Sequence, residues 1–390
     1  MGNSSSTMQP PKHEQDKSNT SEETSFFDTP VKQDRTHAKQ ENAVIKTQTP
    51  SRVASSSWSS WFYGRNTSGY LKVLFCGKNA FSSAFIYTAQ ELKYNRNIIV
   101  KECEVSDIPM EIIDAHVVVP LMSRIDKSLL EKAPYLNVIH QFGVGLEGVD
   151  VDAATELGIS VASIPSDEVG NAQSTAEHAI FLCLSVLRQV NVHKEMIQNG
   201  VLGSPTGCTI MDASIMIYGF GNLGKQITQR LFAFQPKRIV AIKKLPWVGA
   251  VPVRIEEIGL IKDVARLSKG IDIVFICCPQ TKDNLGMFNK QFFKNLNRGA
   301  ILINVARGGL LNYEDVYVAL ESGQLAGVGI DVYKIEPFPP NDAFLRHKKV
   351  VVTPHIAGVT EMSYRAMAKT VAGNVERLMK DEELRGVVNF

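Results

Sequence analysis

The chain is poor in the features that would mark a secreted, membrane or nucleic-acid-binding protein. Its six cysteines form no CxxC pair and no zinc spacing, so neither a disulfide framework nor a metal site is expected. Cys76, Cys183, Cys277 and Cys278 sit in apolar runs and read as reduced core residues. No apolar run is long enough to span a bilayer. No secretory signal opens the chain, so a cytoplasmic protein is expected. Forty-two Lys and Arg against 40 Asp and Glu leave a formal net charge of +2, which gives nucleic acid no reason to bind. Apolar residues make up 44% of the 390, enough for a sizeable core.

Branched apolar residues are also scarce over residues 1–68, which are rich in Ser, Thr, Gln, Lys and Glu. A disordered tail is expected there. Met1-Gly2-Asn3-Ser4-Ser5-Ser6 fits the N-myristoylation pattern. Without a second membrane signal, an acyl group on Gly2 would give weak, reversible membrane contact. The aromatic cluster Trp58–Tyr63 reads either as a docking segment or as packing on the protein's own body.

From residue 70 onward, apolar strands alternate with helical patterns. Strands are predicted near 71–76, 97–100, 117–121 and 138–142, then near 214–219, 238–243, 272–277, 300–305, 326–331 and 349–353. A long helix is predicted over about 171–198 and another over 361–380. The fold class is α/β, with parallel sheets covered by helices.

Gly219-Phe220-Gly221-Asn222-Leu223-Gly224 is a GxGxxG between a strand pattern and a helix pattern. The first glycine allows a tight turn, the second admits a pyrophosphate, and the third lets helix and strand approach. The helix N-terminus then offers N–H groups to the phosphates. An NAD cofactor calls for an acidic residue about 20 positions on. Here the strand ends in Lys243 and Lys244, which cannot accept ribose hydroxyls but can pair with a 2′-phosphate, so NADP is favoured over NAD.

Four polar residues follow strands of the second block: Arg307, Asp331, Glu336 and His355. Ligands of open α/β sheets bind at the carboxyl ends of strands. A guanidinium can hold a substrate carboxylate, an imidazole can exchange the hydroxyl proton, and a carboxylate can fix the imidazole tautomer. Hydride transfer on a small 2-hydroxy or 2-oxo acid fits this set.

On these residues the chain resembles the D-isomer-specific 2-hydroxyacid dehydrogenases. The resemblance runs through Gly143–Asp150, Asn171–His178, Asn304–Gly309, Asp331-Val332, Glu336-Pro337 and Pro354–Gly358. It implies two Rossmann-like doubly wound domains. The catalytic domain would comprise residues 69–170 and 355–390, and the nucleotide domain residues 171–354. It implies Arg307, Glu336 and His355 as the catalytic set, with Asp331 facing the nicotinamide. Thr175, Asn222, Leu223, Cys278, Pro279 and Ala306 would join the glycines at the cofactor. Met122, Ser123, Val144 and Gly145 would join Arg307 at the substrate. It also implies a homodimer. Met122 stands where many relatives place an arginine, which argues against a phosphorylated substrate. The C-terminal-binding-protein corepressors resemble the same family, so a cofactor-sensing scaffold is the competing expectation.

Overall fold

The computed structural model describes residues 69–165, 169–252 and 254–390. The expectations for the tail, for Gly2 and for Trp58–Tyr63 therefore lie outside the described residues. Five strands form a first parallel sheet: β1 (Leu71–Cys76), β2 (Ile98–Cys103), β3 (Val117–Val119), β4 (Val138–His140) and β5 (Ser160–Ala162). Their order is β2-β1-β3-β4-β5. Seven strands form a second parallel sheet: β6 (Ser214–Tyr218), β7 (Arg238–Lys243), β8 (Glu257–Leu260), β9 (Ile273–Ile276), β10 (Ala300–Asn304), β11 (Leu325–Ile330) and β12 (Val350–Val352). Their order is β12-β11-β10-β9-β6-β7-β8.

Both faces of the second sheet are buried, so its strands read as continuous apolar runs. Along β6, Met216 and Tyr218 join one core while Ile215 and Ile217 join the other, the two-residue period of a pleat. Five longer helices cover the sheets: α1 (Ser82–Leu92), α2 (Asn171–Leu187), α3 (Asn222–Leu231), α4 (Tyr313–Glu321) and α5 (Glu361–Met379). Helix α5 closes the chain against the first sheet, with Tyr364, Met367, Ala368 and Val371 packed among Val73, Phe75 and Val119. Among the described residues, no helix is long and apolar enough to cross a membrane.

Two differences from the sequence reading are physical. The helix predicted over 171–198 stops at Leu187, and a separate short helix spans His193–Gln198. Gln189 takes a left-handed φ of 54°, and the Asn191 amide donates to the carbonyls of Lys348 and Val350 at 3.2 and 2.7 Å. Val190, Asn191 and Val192 are weak helix formers, so this tie to β12 wins. Strands β5 and β8 were not anticipated. Each is an edge strand of three or four residues, too short for a periodic signal.

Each sheet reverses its strand order at one point, between β1 and β3 in the first and between β6 and β9 in the second. The crevice at such a point is the binding position of an open α/β sheet. One cleft of about 1530 Å³ is lined from both: Phe81, Leu121 and Met122 follow β1 and β3, and Asn222, Cys277 and Cys278 follow β6 and β9.

Candidate active site

The glycine loop divides its three positions as the spacing suggests. Gly219 has φ 107°, and a Cβ there would lie 2.5–2.7 Å from backbone atoms of Cys277 and Cys278. A Cβ on Gly224 would meet the Gly219 carbonyl and, at 3.0 Å, the Ile217 side chain. Around a Cβ on Gly221, by contrast, nothing lies within 4 Å. That open space sits at the N-terminus of α3, where Gly221 is the extended N-cap. The residues present therefore fit a dinucleotide pyrophosphate.

Cys278 packs against this loop, and Cys278, Pro279, Thr175, Ala306, Asn222 and Leu223 line the cleft. Burial pushes the Cys278 thiol up to about 12, so it stays protonated at neutral pH and acts as bulk. Cys277 and Cys278 are half-buried at the cleft rather than deep in the core. Lys243 and Lys244 do not line the cleft. The Lys243 ammonium lies 5.0 Å from the centre of the Trp247 ring, and that of Lys225, in the first turn of α3, lies 5.6 Å from it. Two cations thus gather at one indole beyond the end of β7.

Three strand termini bring Arg307, Glu336 and His355 to one end of the cleft. After β10, Asn304 Oδ1 accepts the Ala306 N–H at 3.0 Å and its Nδ2 donates to the Arg307 carbonyl at 2.8 Å. This clamp presents Arg307 to the cleft. After β11, Glu336 Oε1 accepts the Tyr333 N–H at 2.8 Å. Its other oxygen lies 2.6 Å from His355 Nδ1. After β12, His355 itself has φ 57°, a left-handed conformation that costs a β-carbon residue roughly 1–3 kcal/mol. The Phe81 ring stands perpendicular to its imidazole, with the ring centres 5.4 Å apart. With Nδ1 committed to Glu336, Nε2 is the nitrogen left for a substrate.

Asp331 is only 1% exposed, although it reaches the cleft wall. Its carboxylate accepts the N–H groups of Ile356 and Ala357 at 2.9 and 2.8 Å and the Thr353 hydroxyl at 2.6 Å. It therefore staples the turn that carries His355. Thr353 Oγ1 lies 2.8 Å from His178 Nε2 in turn. His178 is one turn beyond Thr175 on α2, and its sequence signal was its place in the Asn171–His178 segment.

Met122, Val144 and Gly145 line the cleft, whereas Ser123 is buried outside the lining. Phe81, Gln141 and Glu147 line it too and were assigned no role from sequence. Glu147 was detectable as the one acidic residue inside the glycine-rich stretch 143–148. Among the described residues, no group of three or more His, Cys, Asp or Glu is placed to hold a metal ion.

Residues 180–357 match the model of the D-isomer specific 2-hydroxyacid dehydrogenase NAD binding domain. A mouse (Mus musculus) protein named glyoxylate reductase/hydroxypyruvate reductase is 31% identical over 286 residues, covering 71% of this chain and 85% of the relative. An Archaeoglobus fulgidus protein named D-3-phosphoglycerate dehydrogenase is 30% identical over 277 residues, covering 70% of this chain. The chain spans about half the length of that relative, 51%. The solved structure of the TT0316 protein from Thermus thermophilus superposes with a TM-score of 0.70 at 25% identity, covering 82% of this chain and all (100%) of that one. The chain belongs to the D-isomer-specific 2-hydroxyacid dehydrogenase family. Its two parallel sheets correspond to the paired Rossmann-like domains of that family.

Proposed function

We propose that the protein is an NAD(P)H-dependent reductase of small 2-oxo acids, forming D-2-hydroxy acids. The observation that carries this reading is the His355–Glu336 contact of 2.6 Å in the same cleft as Arg307 and the glycine loop. A nicotinamide cofactor supplies the hydride when bound. Arg307 holds the substrate carboxylate and polarises the adjacent carbonyl. His355 holds a proton at Nε2 and gives it to the carbonyl oxygen as the alkoxide develops. Glu336 keeps the Nδ1–H in place and steadies the ring. Phe81, Leu121, Met122 and Phe142 form an apolar wall that suits a short, uncharged substituent. The mouse relative's printed name supports glyoxylate or hydroxypyruvate as substrates. The gathering of Lys225 and Lys243 around Trp247 supports NADP over NAD. Exposed Phe181 on α2 and exposed Ile197 and Leu202 beyond it support a homodimer that covers this surface.

The test is oxidation of NADPH and NADH against a panel of small 2-oxo acids, with His355→Ala and Lys243→Gln alongside. Turnover should fall about 10²–10⁴-fold in His355→Ala with cofactor binding retained. Lys243→Gln should weaken NADPH more than NADH. Full activity in His355→Ala would refute the mechanism. Tight cofactor binding with no turnover on any acid would favour a sensing scaffold.

A further inference from the structure

The carboxylate-binding side chain of the cleft is already holding a carboxylate. Arg307 Nε donates to Glu147 Oε1 at 2.8 Å, and Nη2 to Glu147 Oε2 at 3.5 Å. The pair lies directly over Gly145, where a Cβ would collide with both Arg307 Nη2 and Glu147 Oε2. Glu147 thus presents to the guanidinium the same group, on the same fork, that a 2-oxo acid would present. Both side chains are part-exposed, at 36% and 42%, so water and salt screen the contact and it can exchange.

Glu147 is not needed to aim Arg307. The arginine has an anchor of its own, since Nη1 donates to the Ala306 carbonyl at 2.7 Å. Asn304 clamps its backbone from beneath. The backbone around Glu147 is also held independently: the Ile125 N–H donates to the Gly148 carbonyl at 2.8 Å, and the Val149 N–H to the Leu146 carbonyl at 2.9 Å. Among the described residues, the Glu147 side chain makes its hydrogen bonds to Arg307 alone.

We propose that Glu147 is a place-holder for the substrate carboxylate, displaced when an acid binds, and that it sets which acids are accepted. The proposal rests on the reductase reading for the identity of the incoming acid. Once displaced, Glu147 remains in the mouth as an anion beside the substrate. Among the described residues, Arg307 and Lys334 are the only Lys or Arg lining the cleft, against Glu147, Glu314, Asp331, Glu336 and Asp342. A second negative group on the substrate would meet a lining in which carboxylates outnumber the cations. The accepted class is therefore monocarboxylates without a distal anion.

The experiment is calorimetric titration of the NADPH-loaded protein with oxamate, a monoanionic isostere that cannot be reduced, and with N-oxalylglycine, the same group carrying a second, distal carboxylate. Glu147→Gln should bind oxamate about 2–5-fold more tightly, the range set by a part-exposed ion pair. Its gain for N-oxalylglycine should be larger than its gain for oxamate. For reducible acids, KM should fall more than kcat changes. Glu147→Ala serves as a second variant, and the melting temperature of each checks folding. Equal or weaker oxamate binding in both variants overturns the proposal and makes Glu147 a positioning residue. Oxamate binding needs no turnover, so a protein that reduces no panel acid would sink the reductase reading and leave this test standing.

Discussion

Replacing the three loop glycines by alanine one at a time should separate folding from cofactor binding. At Gly219, φ of 107° puts a β-carbon residue in a region that costs roughly 1–3 kcal/mol. The added methyl would also lie 2.5–2.7 Å from backbone of Cys277 and Cys278, at the end of the neighbouring strand β9. Backbone cannot rotate away as a side chain can, and overpacking of this kind adds roughly 1–3 kcal/mol. The sum is about 4 kcal/mol. At about 2–4 °C per kcal/mol for a domain of this size, Gly219→Ala should melt roughly 8–16 °C lower. Gly221 is extended, with nothing within 4 Å of a Cβ, so Gly221→Ala should melt within about 2 °C of the unaltered chain. Its methyl instead fills the space a pyrophosphate needs at the N-terminus of α3. Losing one charge-assisted hydrogen bond costs about 1.5–3 kcal/mol, so NADPH should bind about 10–100-fold more weakly. Melting by circular dichroism and titration of NADPH fluorescence measure the two effects. Normal NADPH affinity in Gly221→Ala, or a melting loss equal to that of Gly219→Ala, would refute this account of the loop.

Two further predictions concern buried polar groups. Asp331→Asn places an NH₂ among the three donors that now meet a carboxylate. It should cost about 1–3 kcal/mol of stability, and by loosening the His355 turn it should lower kcat roughly 10²-fold. A normal kcat would show that the staple is dispensable. His140 is fully buried, its Nδ1 3.2 Å from the Gln141 carbonyl and its Nε2 2.9 Å from the Asn374 amide. With the proton on Nδ1, the neutral ring satisfies both contacts. Burial pulls its pKa from 6.5 down to about 4. The unfolded chain takes up this proton below about pH 6.5, whereas the folded chain does so only below about 4. His140 therefore leaves stability intact above pH 6.5 and erodes it as pH falls toward 4, by about 3 kcal/mol in all. Urea midpoints at pH 7 and pH 5 should show a smaller acid loss in His140→Asn than in the unaltered chain. Identical losses would remove His140 as the cause.

How much of this was legible in the chain depended on the range of the interaction. The alternation of apolar runs with helical patterns determined two parallel α/β layers, because a strand buried on both faces needs unbroken apolar residues wherever it lies. The glycine loop was legible because its demands are local: a positive φ at Gly219, open backbone at Gly221 and close approach at Gly224 all arise within six residues. Arg307, Glu336 and His355 were legible as polar residues just past strand ends, a position the topology alone makes productive. Contacts between distant segments were decided by tertiary structure. Helix α2 stops at Leu187 because Asn191 is tied to the carbonyls of Lys348 and Val350, more than 150 residues away. Asp331 spends its carboxylate on the His355 turn, which no spacing rule between the two residues requires. Lys243 reached Trp247, and Lys225 joined it there, through the path of a loop. The union of Glu147 with Arg307 spans 160 positions and two sheets. A sequence carries local backbone and burial preferences because they act between near neighbours. Which charges finally meet depends on how two separately specified sheets face each other.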